Sequence, residues 1–129
     1  MAQTHKLIRH GRLLLCYASV EGPFGRHDGT LLVDTGSNYT VFSVEVLERI
    51  GCSPAASREH VRILTGSGVV VAPRVRAIAL TIFDRRIDAA DLIAHDLPFS
   101  GPIDGLLGMD VLTAVRAHID IADAKIEMS

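Results

Sequence analysis

Residues 31–40 read LLVDTGSNYT. Three aliphatic residues run directly into Asp34, and Thr35, Gly36 and Ser37 follow it. A carboxylate at the end of an apolar strand costs desolvation free energy unless donors face it. The residues after it offer such donors. Gly36 has no side chain, so its amide can approach the carboxylate closely. Ser37 carries a hydroxyl whose proton would favour the ionised form, and Thr35 carries one that can bond elsewhere and lock the loop. The chemistry open to this seat is general acid–base catalysis on a water or a carbonyl. Asp-Thr-Gly by itself is weak support, because so short a motif recurs by chance. Taken alone, Asp34 reads more simply as a turn aspartate.

The elements that must position these residues are mostly short strands. Residues 13–20 read as a strand, 21–29 as a turn-rich connection, and 30–34 as a short strand buried on both faces. Residues 40–42 stay extended. Residues 43–51 read as a short helix, with Ser43 as N-cap and Gly51 as its stop. Strands are expected over 60–65 and 69–75 around a hairpin tip at Thr65-Gly66-Ser67-Gly68. Further strands over 76–83 and 86–94 meet across Asp84-Arg85. Residues 97–102 read as a loop and 103–108 as a strand ending at a glycine. A second helix covers 109–117, and 118–122 pairs with 124–128 around Asp123. Many short strands with two short helices make a mainly β domain, closed or sandwich-like.

Composition narrows the function. The chain has 129 residues, 48% hydrophobic, with a formal net charge of -2. That length suits one domain over 1–129. No basic block supports nucleic-acid binding, and no apolar run reaches membrane-spanning length. Two cysteines, Cys16 and Cys52, are too few for a disulfide framework and read as free thiols. Lys6, Arg9 and Arg12 before Leu13-Leu14-Leu15-Cys16 faintly suggest a signal peptide. The apolar part is short and no small-x-small site follows, so this segment is read as an early strand. Asn38-Tyr39-Thr40 is a glycosylation sequon. A glycan there would crowd Asp34, so a functional Asp34 implies a non-glycosylating, cytoplasmic location. The six histidines are dispersed: His27-Asp28 and His95-Asp96 lack metal-ligand spacing, and no metal or other cofactor is expected. Gly66-Ser67-Gly68 lacks the third glycine and the helix of a dinucleotide site. Asp110 is expected to serve the second helix's N-terminus or the surface, and Arg85-Arg86 a solvent-facing hairpin tip.

A second stretch raises the weight on Asp34. Residues 104–112 read DGLLGMDVL, two apolar residues closed by a glycine before a helix. Leu32-Val33-Asp34-Thr35-Gly36-Ser37 together with Leu106-Leu107-Gly108 resembles the aspartic proteases of the retroviral-like group, the retropepsins and their bacterial relatives. The Thr65-Gly66-Ser67-Gly68 hairpin falls where that family places its flap, and the resemblance runs over about residues 13–128. It implies a retropepsin-like acid-protease barrel, all-β with one or two short helices, forming half of a two-fold active site. It implies a homodimer in which Asp34 meets its own copy, the two carboxylates sharing one proton and activating one water to cut a peptide bond. Thr35 would reach to the partner's loop, with Gly36 and Ser37 completing the scaffold. The terminal segments would join the dimer interface, and a peptide would bind extended in largely apolar subsites. Two departures stand out: no Tyr lies in the flap, and Ser37 stands where retroviral enzymes usually carry Ala. Ser37 is expected to lower the dyad's effective pKa values and shift activity towards acid. Two rival readings are a catalytically silent peptide-binding or dimerisation module, and a domain cut from a longer polypeptide that acts only on its own flanks. The opening Met1 and closing Ser129 read as a complete chain, against the second rival.

Overall fold

A computed structural model describes residues 2–65, 68–97 and 101–129. In chain order the strands are β1 (Gln3–Lys6), β2 (Ile8–His10), β3 (Leu13–Gly22), β4 (Gly25–Val33) and β5 (Val41–Phe42). Helix α1 (Val44–Arg49) and a 3-10 turn (Pro54–Ala56) precede β6 (His60–Thr65), β7 (Gly68–Arg76), β8 (Ala79–Ile82), β9 (Arg85–Asp88) and β10 (Asp91–Ala94). Then come β11 (Gly105–Leu107), α2 (Met109–Ala114), β12 (His118–Asp120) and β13 (Lys125–Met128). The main sheet runs β6-β7-β10-β5-β11-β4-β3-β8-β9, with β2 beside β3. A small sheet, β1-β13-β12, gathers the two ends of the chain. The architecture is the expected mostly β, curled half-barrel with two short helices.

Alternation explains the core. On β3, Cys16, Ala18 and Val20 are buried while Tyr17 is 72% exposed. These inward residues join Leu31, Phe42, Leu47, Leu80, Leu92 and Leu107 in one cluster. Ile126 and Met128 of β13 are fully buried in it, so the C-terminal strand is core. A second, smaller cluster joins Ile63 and Ala72 of the β6–β7 hairpin to Val41 and Ile93.

Both helices form, although α2 ends at Ala114, short of the expected residue 117. Ser43 Oγ accepts the Val46 N–H at 3.3 Å, which caps α1. Gly51 follows with φ +88°, a conformation that suits glycine. Other boundaries differ. Residues 25–29 are not a connection but the first half of β4, paired with β3 in register from Gly22↔Gly25 to Leu15↔Leu32. Arg26 and Asp28 lie on the exposed face of that pair. The strand expected over 76–83 breaks at Ala77-Ile78, whose amides donate to Ala90 O and Glu21 O. The strand expected over 86–94 breaks at Ala89, which has φ 50°. Strands β1 and β2 were not foreseen, because QTHK and IRH are too polar to show an apolar face. The terminal strands pair with each other inside one chain: β1 with β13, and β13 with β12.

Candidate active site

Two glycines allow the site to form. β11 lies between β4, which it pairs in parallel, and β5, which it pairs antiparallel. Its register sets Leu106 beside Leu32 and Leu107 beside Val33. A Cβ on Gly105 would sit 1.8 Å from Val41 O, and one on Gly108 would sit 2.2 Å from Tyr39 O. Only glycine fits at such distances, so the pair brackets the passage of Leu106-Leu107 between two strands.

That passage fixes Asp34. Its N–H donates to Leu107 O at 3.0 Å, just past the last ladder pair. The chain then turns, with Ser37 N–H donating to Asp34 O at 3.2 Å. Gly36 N–H donates to Asp34 Oδ1 at 2.9 Å, as expected of a donor seat. A Cβ on Gly36 would lie 3.2 Å from that same oxygen, tighter than ordinary contact. Asp34 is half-buried, and Thr35 and Gly36 are exposed on the outside of the turn. Ser37 departs from expectation. Its buried hydroxyl donates to Tyr39 O at 2.7 Å, not to the carboxylate. A hydroxyl has one proton, and the backbone of its own loop holds it.

The loop after Asp34 is tied to α2 by contacts that the sequence reading assigned only to a helix end. Met109 N–H donates to Ser37 O at 2.8 Å and Asp110 N–H to Asn38 O at 3.2 Å. Asp110 Oδ2 accepts the Thr40 N–H at 3.1 Å, and Oδ1 accepts the Thr40 hydroxyl at 2.8 Å. The helix-end role also holds, since Oδ1 accepts the Val111 N–H at 2.8 Å. Asp104 is similarly committed: its Oδ2 accepts the Thr30 N–H at 3.0 Å and lies 3.4 Å from His27 Nε2. Asp34 differs from both: its carboxylate is half-buried and accepts the Gly36 N–H of its own turn.

Above Leu106 sits the β6–β7 hairpin. Val61, Val70, Tyr39, Leu97 and Leu106 pack around its buried cluster, giving an apolar wall. Thr65 and Gly68 form its last pair, while Gly66 and Ser67 lie outside the described residues. A groove of about 410 Å³ opens beside Thr35, lined by Met109, Leu112, Ala117 and Ile119 among others. A larger cavity, about 700 Å³, lies elsewhere, on the outer face of β3, β4 and β8. Both thiols are free and buried. Burial pushes the Cys16 thiol up to about 12 and raises that of Cys52. Among the described residues, no group of three or more His, Cys, Asp or Glu is arranged to hold a metal ion, and no helix is long and apolar enough to cross a membrane.

A family model described as aspartyl protease matches residues 18–111, well over half of the chain and spanning both Asp34 and Gly108. The chain belongs to the aspartyl protease family. Its fold is similar to that of a retropepsin-like aspartic protease from Rickettsia conorii, with a TM-score of 0.72 over 99% of this chain and 91% of that one. Identity is 16%, so that likeness speaks for the fold. No curated protein matches the chain. The matched span includes the turn at residues 34–37, strand β11 and Gly108.

Proposed function

We propose that this aspartyl protease is a homodimeric endopeptidase in which Asp34 of two copies forms the catalytic dyad. One observation carries the reading: the Asp34 carboxylate is half-buried and held by the amide of its own turn, while Asp104 and Asp110 are bound across the scaffold. Aspartic protease chemistry needs two carboxylates sharing one proton. The ionised member takes a proton from water as the water attacks the peptide carbonyl. The protonated member protonates the carbonyl oxygen, and a proton then passes to the leaving nitrogen. The two titrate as a unit. A second copy supplies the missing carboxylate most simply.

Thr35 and Gly36, exposed beside Asp34, are the scaffold residues nearest that partner, and the apolar groove beside Thr35 suits contact with it. Ser37 serves the scaffold by bracing the turn through Tyr39 O. The hairpin ending at Thr65 and Gly68 covers an extended peptide, with Val61, Val70 and Leu106 offering apolar contacts. Two buried free thiols fit a reducing, cytoplasmic setting.

The test is cleavage of casein or a peptide library at acid pH. Wild type should cleave, a statine-type peptide should inhibit, and Asp34→Asn should lose activity by about a thousandfold or more. Peptide binding that survives in Asp34→Asn, with no cleavage by wild type under any condition, would establish a silent binding module instead.

A further inference from the structure

We infer that Thr40 and Asp110 are positioning residues that latch the Asp34 turn to the strand and helix behind it. The inference rests on the protease reading above. Thr40 is completely buried, and its hydroxyl both donates and accepts a hydrogen bond. The hydroxyl donates to Asp110 Oδ1 at 2.8 Å and accepts the Gly108 N–H at 3.1 Å. Its backbone N–H donates to Asp110 Oδ2 at 3.1 Å. One threonine therefore joins the end of the Asp34 loop to both Gly108 and the first turn of α2.

The route from latch to carboxylate is short. Gly108 directly follows Leu107, whose carbonyl accepts the Asp34 N–H at 3.0 Å. Fixing the Gly108 amide through the Thr40 hydroxyl fixes the peptide that carries this acceptor. From the other side, Ser37 O and Asn38 O accept the first amides of α2. The turn bearing Asp34 is then held at one end by β11 and at the other by the start of α2, and Asp110 organises that start with three accepted hydrogen bonds. A residue serving only its own helix would need one of these, the Val111 N–H. The other two reach across 70 positions of sequence. Neither residue touches the reacting atoms. Their effect is on where Asp34 points, and a displacement of about 1 Å is enough to cost about a hundredfold in turnover.

The test compares Thr40→Val, Thr40→Ser and Asp110→Asn in the full chain, using a peptide that wild type cleaves and a statine-type inhibitor to count active sites. Per titrated site, Thr40→Val should lower kcat about tenfold or more with KM changed less than about threefold, and the inhibitor should weaken in step with kcat. Thr40→Ser, which keeps the hydroxyl, should return kcat to within about threefold of wild type. Asp110→Asn, which sets an amide against donors, should repeat the Thr40→Val pattern and stands in for it should that variant not fold. A merely structural role predicts fewer titratable sites with wild-type kcat at each, and that result would overturn the latch. So would an unchanged kcat in both variants of a protein that cleaves. Absence of cleavage by wild type would instead overturn the protease reading, and the latch with it.

Discussion

The floor of the site and the hairpin above it are built by different means. The Asp34 turn is held by β11, α2 and β5 together, through backbone bonds to Leu107, Ser37 and Asn38 and through the buried Thr40–Asp110 pair. Among the described residues, the β6–β7 hairpin pairs with β10 along one edge only. Its inner face, Ile63 and Ala72, is buried, but its outer face leaves Leu64 71%, Val69 57% and Val71 62% exposed. Under the proposed dimer, a carboxylate that must be placed to within about an ångström needs a floor crossed by several elements. A cover that admits a peptide needs the opposite, contacts on one face that can be broken and remade.

The sharpest way to break this contrast is to crowd the floor. Gly105→Ala drives a Cβ to 1.8 Å from Val41 O and 2.8 Å from Val41 C, backbone that cannot turn aside as a side chain can. We expect a loss of about 3 kcal/mol in denaturant unfolding, with activity falling as the folded fraction falls. Tolerance of alanine there would mean that β11 does not thread between β4 and β5. The hairpin should separate its faces more gently. Ile63→Ala should cost about 2–3 kcal/mol, because it opens the small cluster. Val69→Ala on the outer face should stay within about 0.5 kcal/mol. Equal costs in the same unfolding assay would show that the outer face is covered in solution.

Much of the floor was legible from sequence, and the reason is local. Leu31 to Val33 carry an apolar strand into Asp34, and Ser43 and Gly51 bracket α1 with the cap and stop that their chemistry predicts. The rest depended on distant partners. Gly105 looks like an ordinary strand glycine until Val41 is beside it. Thr40 and Asp110 look like a strand residue and a helix-start acid until the fold joins them. Ser37 was assigned to the wrong acceptor because Tyr39 O, two residues on, captures its proton. β1 is polar and becomes a strand only because β13 offers it a partner.

Two smaller effects follow. The Cys16 thiol has its pKa raised to about 12 by burial. A raised folded pKa means that the folded chain holds the proton more tightly than the unfolded chain does. Stability from this group is complete below the unfolded value near 9.0 and is lost as pH rises from there towards 12. Unfolding midpoints should therefore fall above about pH 9, less steeply in Cys16→Ala, and a thiol reagent at neutral pH should label both cysteines only on unfolding. Parallel alkaline slopes in the two proteins would contradict this. The smallest effect belongs to Ser37→Ala. With its proton held by Tyr39 O, the hydroxyl is not a donor to Asp34, and the acid limb of the pH–rate profile should move by less than about 0.3 unit. A larger shift would return the hydroxyl to the carboxylate.

The shared dyad itself is tested most directly by mixing subunits. Wild type at fixed amount is combined with an equal amount of Asp34→Asn under conditions that allow exchange, and peptide cleavage is measured. If each site needs Asp34 from two chains, mixed dimers are dead and activity falls to about half, then further as the variant is added in excess. Activity that stays constant however much Asp34→Asn is present would show that one chain suffices, and would contradict the account.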